Sequence, residues 1–354
     1  MKILSIVGAR PQFVKSAPVG RALDRAGITE ILLHTGQHYD PEMSGVFFDE
    51  LGIRRPHYNL EAGSGSHAAQ TAAMLVGIEE VLLKEHPAVV LIYGDTNSTL
   101  AGAIAACKLQ YPVAHVEAGL RSFNRAMPEE INRVVADALS TLLFCPTDVA
   151  ARNLELEGIT AGVHIVGDVM YDAVLWAADR ARAGIPEIVS RLGLTPGAYV
   201  LATVHRASNT DDPANLAAIT GALSNAGETV VFPMHPRTRK AIATSGIVLG
   251  GNVMPIEPVS YLSMVALEKH ARTILTDSGG VQKEALWLGV PCVTVRDETE
   301  WVETVESGWN TLTGTDTARI LAALRRPRSH EVPPQPYGDG QAAARIVEIL
   351  GQHK

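Results

Sequence analysis

Short apolar runs alternate with helix-length segments along the whole chain. Residues 3–7, 30–34, 89–93, 113–116, 142–145 and 164–166 are runs of three to six mostly apolar positions. They are too short for helices and lack the polar alternation of a half-exposed strand, so they predict strands covered on both faces. Between them, residues 64–86 keep apolar positions three and four apart behind a Ser/Gly-rich entry, and 100–109 and 128–140 continue that helical spacing. The pattern then begins again, with predicted strands at 199–204, 229–234, 253–256, 273–275 and 292–295. Such repetition predicts an α/β fold of two doubly wound, Rossmann-like domains, residues 1–168 and 169–340, facing a cleft onto which the carboxyl ends of the strands open. The joint is expected near 167–173. A proline-rich, non-helical link at 326–336 leads to a last helix at 341–350, and the segment 341–354 is expected to pack back on the first domain.

Composition narrows the function. Of the 354 residues, 46% are apolar and 19% charged, which suits a globular enzyme and is too apolar for disorder. The net charge of -8 argues against a broad nucleic-acid face, so any anion site must be built locally. Cys107, Cys145 and Cys292 lie far apart in apolar surroundings, which predicts reduced core thiols and a cytoplasmic protein. The apolar run at the N-terminus is too short for a signal-peptide core, and no run reaches membrane-spanning length.

The chain's central chemical feature is Thr276-Asp277-Ser278-Gly279-Gly280-Val281-Gln282-Lys283-Glu284, placed where an apolar run turns into a helix. Two glycines there let a ligand approach the backbone, and the helix dipole favours an anion such as a diphosphate. An ordinary helix cap is the competing reading. Glu284, a turn further on, can accept hydrogen bonds from ribose hydroxyls. Asp95 ends a strand and can be either a reactive acid or the cap of the following helix. Glu117 stands at the exit of a buried strand, and Glu130 occupies a helix's first turn with Arg133 one turn later. His205-Arg206 ends the first strand of the second half, across the expected cleft from these acids. A dinucleotide-binding Gly-x-Gly-x-x-Gly is absent after the first strand, where Gly8-Ala9-Arg10-Pro11 stands instead.

Gly8-Ala9-Arg10-Pro11-Gln12, His34-Thr35-Gly36-Gln37-His38, Gly94-Asp95, His115-Val116-Glu117-Ala118-Gly119, Pro128-Glu129-Glu130-Ile131-Asn132-Arg133, Val204-His205-Arg206, Thr276-Asp277-Ser278-Gly279-Gly280 and Arg296-Asp297-Glu298-Thr299-Glu300 follow in order over nearly the whole chain. Together they resemble the non-hydrolysing UDP-N-acetylglucosamine 2-epimerases. The resemblance implies the B-type glycosyltransferase fold, a homodimer, no redox cofactor or metal, and interconversion of UDP-GlcNAc and UDP-ManNAc for surface polysaccharides. It further implies elimination of UDP across C1–C2 to 2-acetamidoglucal, followed by re-addition. Arg10, Lys15, His205 and the amides of Ser278, Gly279 and Gly280 would then hold the diphosphate. Asp95, Glu117, Glu130 and His205 would be the catalytic set, with Arg133 positioning Glu130 or the sugar, Arg296 among the substrate contacts, and Glu284 on the ribose. Met264 stands where the family places a uracil-stacking aromatic. Gln37, His38 and His235 match a second, regulatory site, although the loop Gln37-His38-Tyr39-Asp40 lacks the arginine that follows the histidine in self-activated members. Glu300-Trp301-Val302-Glu303-Thr304 is similar to a subgroup that includes UDP-2,3-diacetamido-glucuronate 2-epimerases. A hydrolysing epimerase, a retaining glycosyltransferase and a nucleotide-sugar sensor are the other readings.

Overall fold

A computed structural model of the chain describes residues 1–37, 51–180, 186–327 and 331–352. Two compact units result: Met1–Leu175 with Pro336–Lys354, and Trp176–Gln335.

The first unit runs β1 (Lys2–Val7), α1 (Arg10–Arg25), β2 (Thr29–His34), β3 (Tyr58–Asn59), α2 (His67–Glu85), β4 (Val89–Tyr93), α3 (Asn97–Lys108), β5 (Val113–Val116), α4 (Pro128–Leu139), β6 (Leu142–Cys145), α5 (Asp148–Leu156), β7 (Val163–Ile165) and the start of α6 (Val169–Arg180). Its seven strands are all parallel, in the order β3-β2-β1-β4-β5-β6-β7. The order reverses direction between β1 and β4, the switch point at which such sheets present their ligand sites. Met74, Ile78 and Leu82 on α2 are fully buried over this sheet with Leu4, Ile6 and Ile92; each large apolar side chain buried this way contributes about 1.5–3 kcal/mol. The turn after β1 is closed by Gln12, whose Oε1 accepts the Gly8 and Ala9 N–H groups at 2.7 and 3.1 Å. Gly8 is obligatory there, because a side chain would collide with the Ser98 and Thr35 hydroxyls.

The second unit continues with α7 (Glu187–Arg191), β8 (Tyr199–Thr203), α8 (Ala207–Thr210), α9 (Pro213–Ser224), β9 (Thr229–Pro233), α10 (Pro236–Thr244), β10 (Val253–Ile256), α11 (Tyr261–His270), β11 (Thr273–Thr276), α12 (Gly279–Trp287), β12 (Cys292–Thr294), α13 (Val302–Glu306), β13 (Asn310–Leu312) and α14 (Thr317–Leu324). Its parallel sheet has the order β10-β9-β8-β11-β12-β13, with a buried apolar cluster on each face. Edge strands β3 and β13, of two and three residues, were not foreseen from the apolar pattern. Cys145 and Cys292 are buried thiols, but Cys107 is exposed, correcting the expectation of three core cysteines.

The last helix, α15 (Ala342–Gln352), belongs to the first unit, where Asp172 on α6 accepts the N–H groups of Ala342 and Ala343 at 3.2 and 3.0 Å. Burial pushes the Asp172 carboxyl up against these two donors, and the nearby Asp168 charge adds to the rise, to about 6. An unfolded aspartate titrates near 3.9. The folded chain therefore holds this proton more tightly, and stability falls as pH rises from about 4 to about 6, then levels off. After allowance for partial exposure the loss is on the order of 2 kcal/mol. Asp172→Asn removes this slope. The melting-temperature difference between wild type and variant should shift in the variant's favour between pH 4 and pH 7; an equal difference at both values would refute the linkage.

Candidate functional site

In the first unit, the acids stand at the carboxyl ends of β4 and β5 and on the first turn of α4. Asp95 does not cap the next helix: Thr96 takes that position. Its Oδ2 instead receives Arg133 Nε and Nη2 at 3.0 and 2.6 Å. The same guanidinium donates through Nη1 to Glu130 Oε2 at 2.8 Å, so Arg133 joins the two carboxylates. Glu130 also accepts the Ser122 and Phe123 N–H groups, both at 2.9 Å, and the Ser122 hydroxyl at 3.0 Å. Burial alone would push this carboxyl up, but the Ser122 amide, Arg133 and the Phe123 amide outweigh it and hold Glu130 below the usual carboxylate range. Glu117 pairs with Lys15 of α1, the two groups lying 102 positions apart in the chain. Both side chains are buried, and Glu117 adopts a left-handed backbone with φ 74°. A non-glycine residue in that region is strained, a feature that concentrates at functional sites. Gly94 packs directly against this pair: a Cβ there would lie 3.0 Å from Lys15 Nζ. Arg10 is exposed at the start of α1.

The second unit gathers its candidates around Asp277. Its buried carboxylate accepts the N–H groups of His205 and Arg206 at 3.0 and 2.9 Å, Asn209 Nδ2 at 3.1 Å, and lies 3.0 Å from His205 Nδ1. Burial opposes this, but the His205 contacts and the Arg206 amide hold Asp277 below its ordinary range. His205 is thereby oriented with 43% of its side chain exposed. Ser278 caps α12 without a side-chain hydrogen bond, and Ser278, Gly279 and Gly280 are only half-buried. A Cβ on Gly279 would come within 2.8 Å of Glu300 Oε1 and Trp301 Nε1, so glycine is needed here for space. Arg296 Nη2 donates to Glu300 Oε2 at 2.9 Å, and Arg206 lies 3.6 Å from Glu300 Oε1, a cationic group beside the start of α12. Burial first, then the Arg296 charge, set the balance at Glu300, whose carboxyl lies below its usual range.

Glu284 is buried on α12 beside Glu268 of α11. Glu268 is wholly buried, and burial, then the Glu284 charge, push its carboxyl well above the ordinary range. A neutral Glu268 acid can donate to Glu284 and orient it. Met264 is half-buried against the apolar cluster of this unit. Gln37 is in the first unit, its Oε1 accepting Ser98 N–H and hydroxyl at 3.0 and 2.7 Å. His235 is in the second, its Nδ1 accepting the Arg237 N–H at 3.2 Å and its ring 6.2 Å from that of His205. His38 lies outside the described residues. Among the described residues no group of three or more His, Cys, Asp or Glu could hold a metal ion, and no helix is long and apolar enough to cross a membrane. Sequence reasoning missed the supporting Asp277 and Glu268; only Asp277 carried a signal, its place beside Ser278.

Comparison with known proteins gives the family. The family described as UDP-N-acetylglucosamine 2-epimerase matches residues 21–351. A UDP-N-acetylglucosamine 2-epimerase homolog from Methanococcus maripaludis is 53% identical, with 99% of each chain covered. The UDP-2,3-diacetamido-2,3-dideoxy-D-glucuronate 2-epimerase of Pseudomonas aeruginosa is 50% identical over 99% of this chain and all of its own. The crystal structure of Methanocaldococcus jannaschii UDP-GlcNAc 2-epimerase in complex with UDP-GlcNAc and UDP superposes with a TM-score of 0.90 at 43% identity, covering 99% of this chain and 100% of that one. The architecture is shared with B-type glycosyltransferases. The chain belongs to the UDP-N-acetylglucosamine 2-epimerase family.

Proposed function

We propose that this protein interconverts UDP-GlcNAc and UDP-ManNAc by inverting C2 of the sugar. The observation that supports this best is that one unit holds its three candidate carboxylates on buried cations, Asp95 and Glu130 on Arg133 and Glu117 on Lys15. The C2 proton of the substrate is not acidic, since no carbonyl activates it. Epimerisation therefore needs a leaving group first. The C1–O bond to UDP breaks, cationic character grows at C1, and the C2 proton passes to a base, giving 2-acetamidoglucal and UDP. Re-addition of UDP at C1 with a proton delivered to the other face of C2 gives the epimer.

Each unit has its part in this chemistry. In the second unit, Ser278, Gly279 and Gly280 at the start of α12, with His205, hold the diphosphate. Glu284 takes the ribose, Met264 lies under the uracil, and Arg296 contacts the substrate. Asp95, Glu117 and Glu130 stabilise the oxocarbenium-like carbon and move the proton. The enzyme acts as a cytoplasmic homodimer, and its product enters surface polysaccharides. A second reading, UDP-2,3-diacetamido-glucuronate as substrate, is supported by the relative of that name and by Glu300-Trp301-Val302-Glu303-Thr304.

Turnover in deuterated water is the direct test. Each product molecule is expected to carry deuterium at C2; protium retained there excludes elimination and re-addition. Separate incubations with the two nucleotide sugars, followed at C2 by NMR, choose between the substrates. Free UDP released in step with turnover points instead to a hydrolysing enzyme.

A further inference from the structure

His115 is fully buried on β5 and makes no contact that the reaction above requires. Its Nε2 lies 2.7 Å from the Gly94 carbonyl, which can only accept, so Nε2 donates. Its Nδ1 lies 2.7 Å from Asp137 Oδ1 on α4. Asp137 Oδ2 meanwhile accepts the Gly119 N–H at 3.1 Å and Arg121 Nη1 at 2.7 Å. Arg121 is fixed in turn by Glu157, two parallel bonds of 2.7 Å each. The Gly119 carbonyl is taken by Asn153 Nδ2 at 3.0 Å. One buried chain of hydrogen bonds thus begins at the residue before Asp95 and ends at the residue two after Glu117.

We propose that His115 and Asp137 are positioning residues: their chain ties the Gly94 turn to the Gly119 turn and so sets the separation of Asp95 from Glu117. The proposal rests on the reading of those acids as catalytic. Two features make the tie necessary. Gly94 and Gly119 both have positive φ, 60° and 81°, which glycine reaches without strain but visits no more readily than negative φ, so contacts elsewhere must select each turn. Glu117 between them is strained at φ 74° and needs surroundings that over-determine it. A buried, fully satisfied polar network rigidifies in this way, and displacing a reacting group by about 1 Å can cost about 10²-fold in rate.

Asp137→Asn keeps the shape of the side chain but replaces one of its two acceptor oxygens with an NH2 group, so it cannot accept from His115 on one side and from Gly119 and Arg121 on the other. The expected result is a kcat lowered about 10- to 100-fold while UDP affinity, by calorimetry, stays within about threefold, because most groups assigned to UDP (Ser278, Gly279, Gly280, His205 and Glu284) belong to the other unit. A merely structural role would leave kcat of the folded fraction unchanged, so a kcat within twofold of wild type overturns the proposal; so does an equal loss in UDP affinity. If Asp137→Asn does not fold, His115→Gln, which can reach Gly94 or Asp137 but not both, carries the same test. Should wild type epimerise no UDP-sugar, the functional reading has failed, and hydrogen exchange then judges the tie alone. Segments 93–98 and 117–121 exchanging several-fold faster in the variant support it, and unchanged protection overturns it.

Discussion

Glu117→Gln lowers kcat by about 10²–10⁴, the range by which a positioned proton-transfer group accelerates a reaction, while UDP binding changes little. The substitution preserves shape and removes the negative charge and the basicity. In the folded chain this carboxylate faces Lys15 in a buried pair, is only 8% exposed, and sits on a backbone conformation that an L-residue adopts at a cost of about 1–2 kcal/mol. That cost is kept because the side chain must point where it does. Glutamine leaves Lys15 with an amide oxygen in place of a carboxylate, and it can neither accept the C2 proton nor offset positive charge at C1. Glu129 supplies the control. It lies one residue before Glu130 in the same first turn but is exposed, and Glu129→Gln should turn over as wild type does. Initial rates of the two variants, with melting temperatures to show that both are folded, decide the matter. A kcat for Glu117→Gln within tenfold of wild type removes this carboxylate from the proton-transfer step.

Much of this arrangement was legible before the fold was known, for physical reasons. Strands buried on both faces leave mostly apolar runs, so β4, β5 and β6 stand out, and Asp95 and Glu117 follow the first two at the sheet's carboxyl edge. Helix α4 announces itself by Pro128 at its first position and two acids in the first turn. What stayed hidden is pairing across long separations. Nothing local in the chain says that Lys15 will meet Glu117 or that Arg121 will bridge Asp137 and Glu157. Local propensity was misleading at Asp95, where aspartate and threonine compete for one cap; Thr96 holds it, and Asp95 is left to Arg133. Edge strands β3 and β13 are too short to leave a pattern. Cys107 near the end of α3 sits among apolar neighbours in sequence, but the helix turns it outward. Glu268 lay unnoticed because a buried acid at a helical position looks, in sequence, like any solvated glutamate.

Gly119→Ala should be among the most damaging single methyls in the first unit. Gly119 has φ 81°, and its missing Cβ would overlap the Ala150 carbonyl, with the carbonyl carbon only 2.7 Å away. That neighbour is backbone in the first turn of α5, so no rotamer change relieves the overlap; the strand-exit turn or the helix has to move. The same turn donates its N–H to Asp137 and accepts Asn153 Nδ2 at its carbonyl, so any movement breaks hydrogen bonds of a buried network. Left-handed backbone costs an L-residue about 1–2 kcal/mol, and overpacking typically adds about 1–3 kcal/mol. The sum approaches half the stability of a typical domain, about 5–15 kcal/mol. Gly158 separates the two contributions. It has φ 80°, but a Cβ there meets nothing within 4 Å, so Gly158→Ala reports the backbone cost alone. Denaturant midpoints of the two variants should place Gly119→Ala lower by the whole of the overlap, and its kcat should fall as well, because Glu117 is two residues away. Equal midpoints would mean that β5 and α5 can part at no cost, and that the Gly119 turn does not hold Glu117 in place.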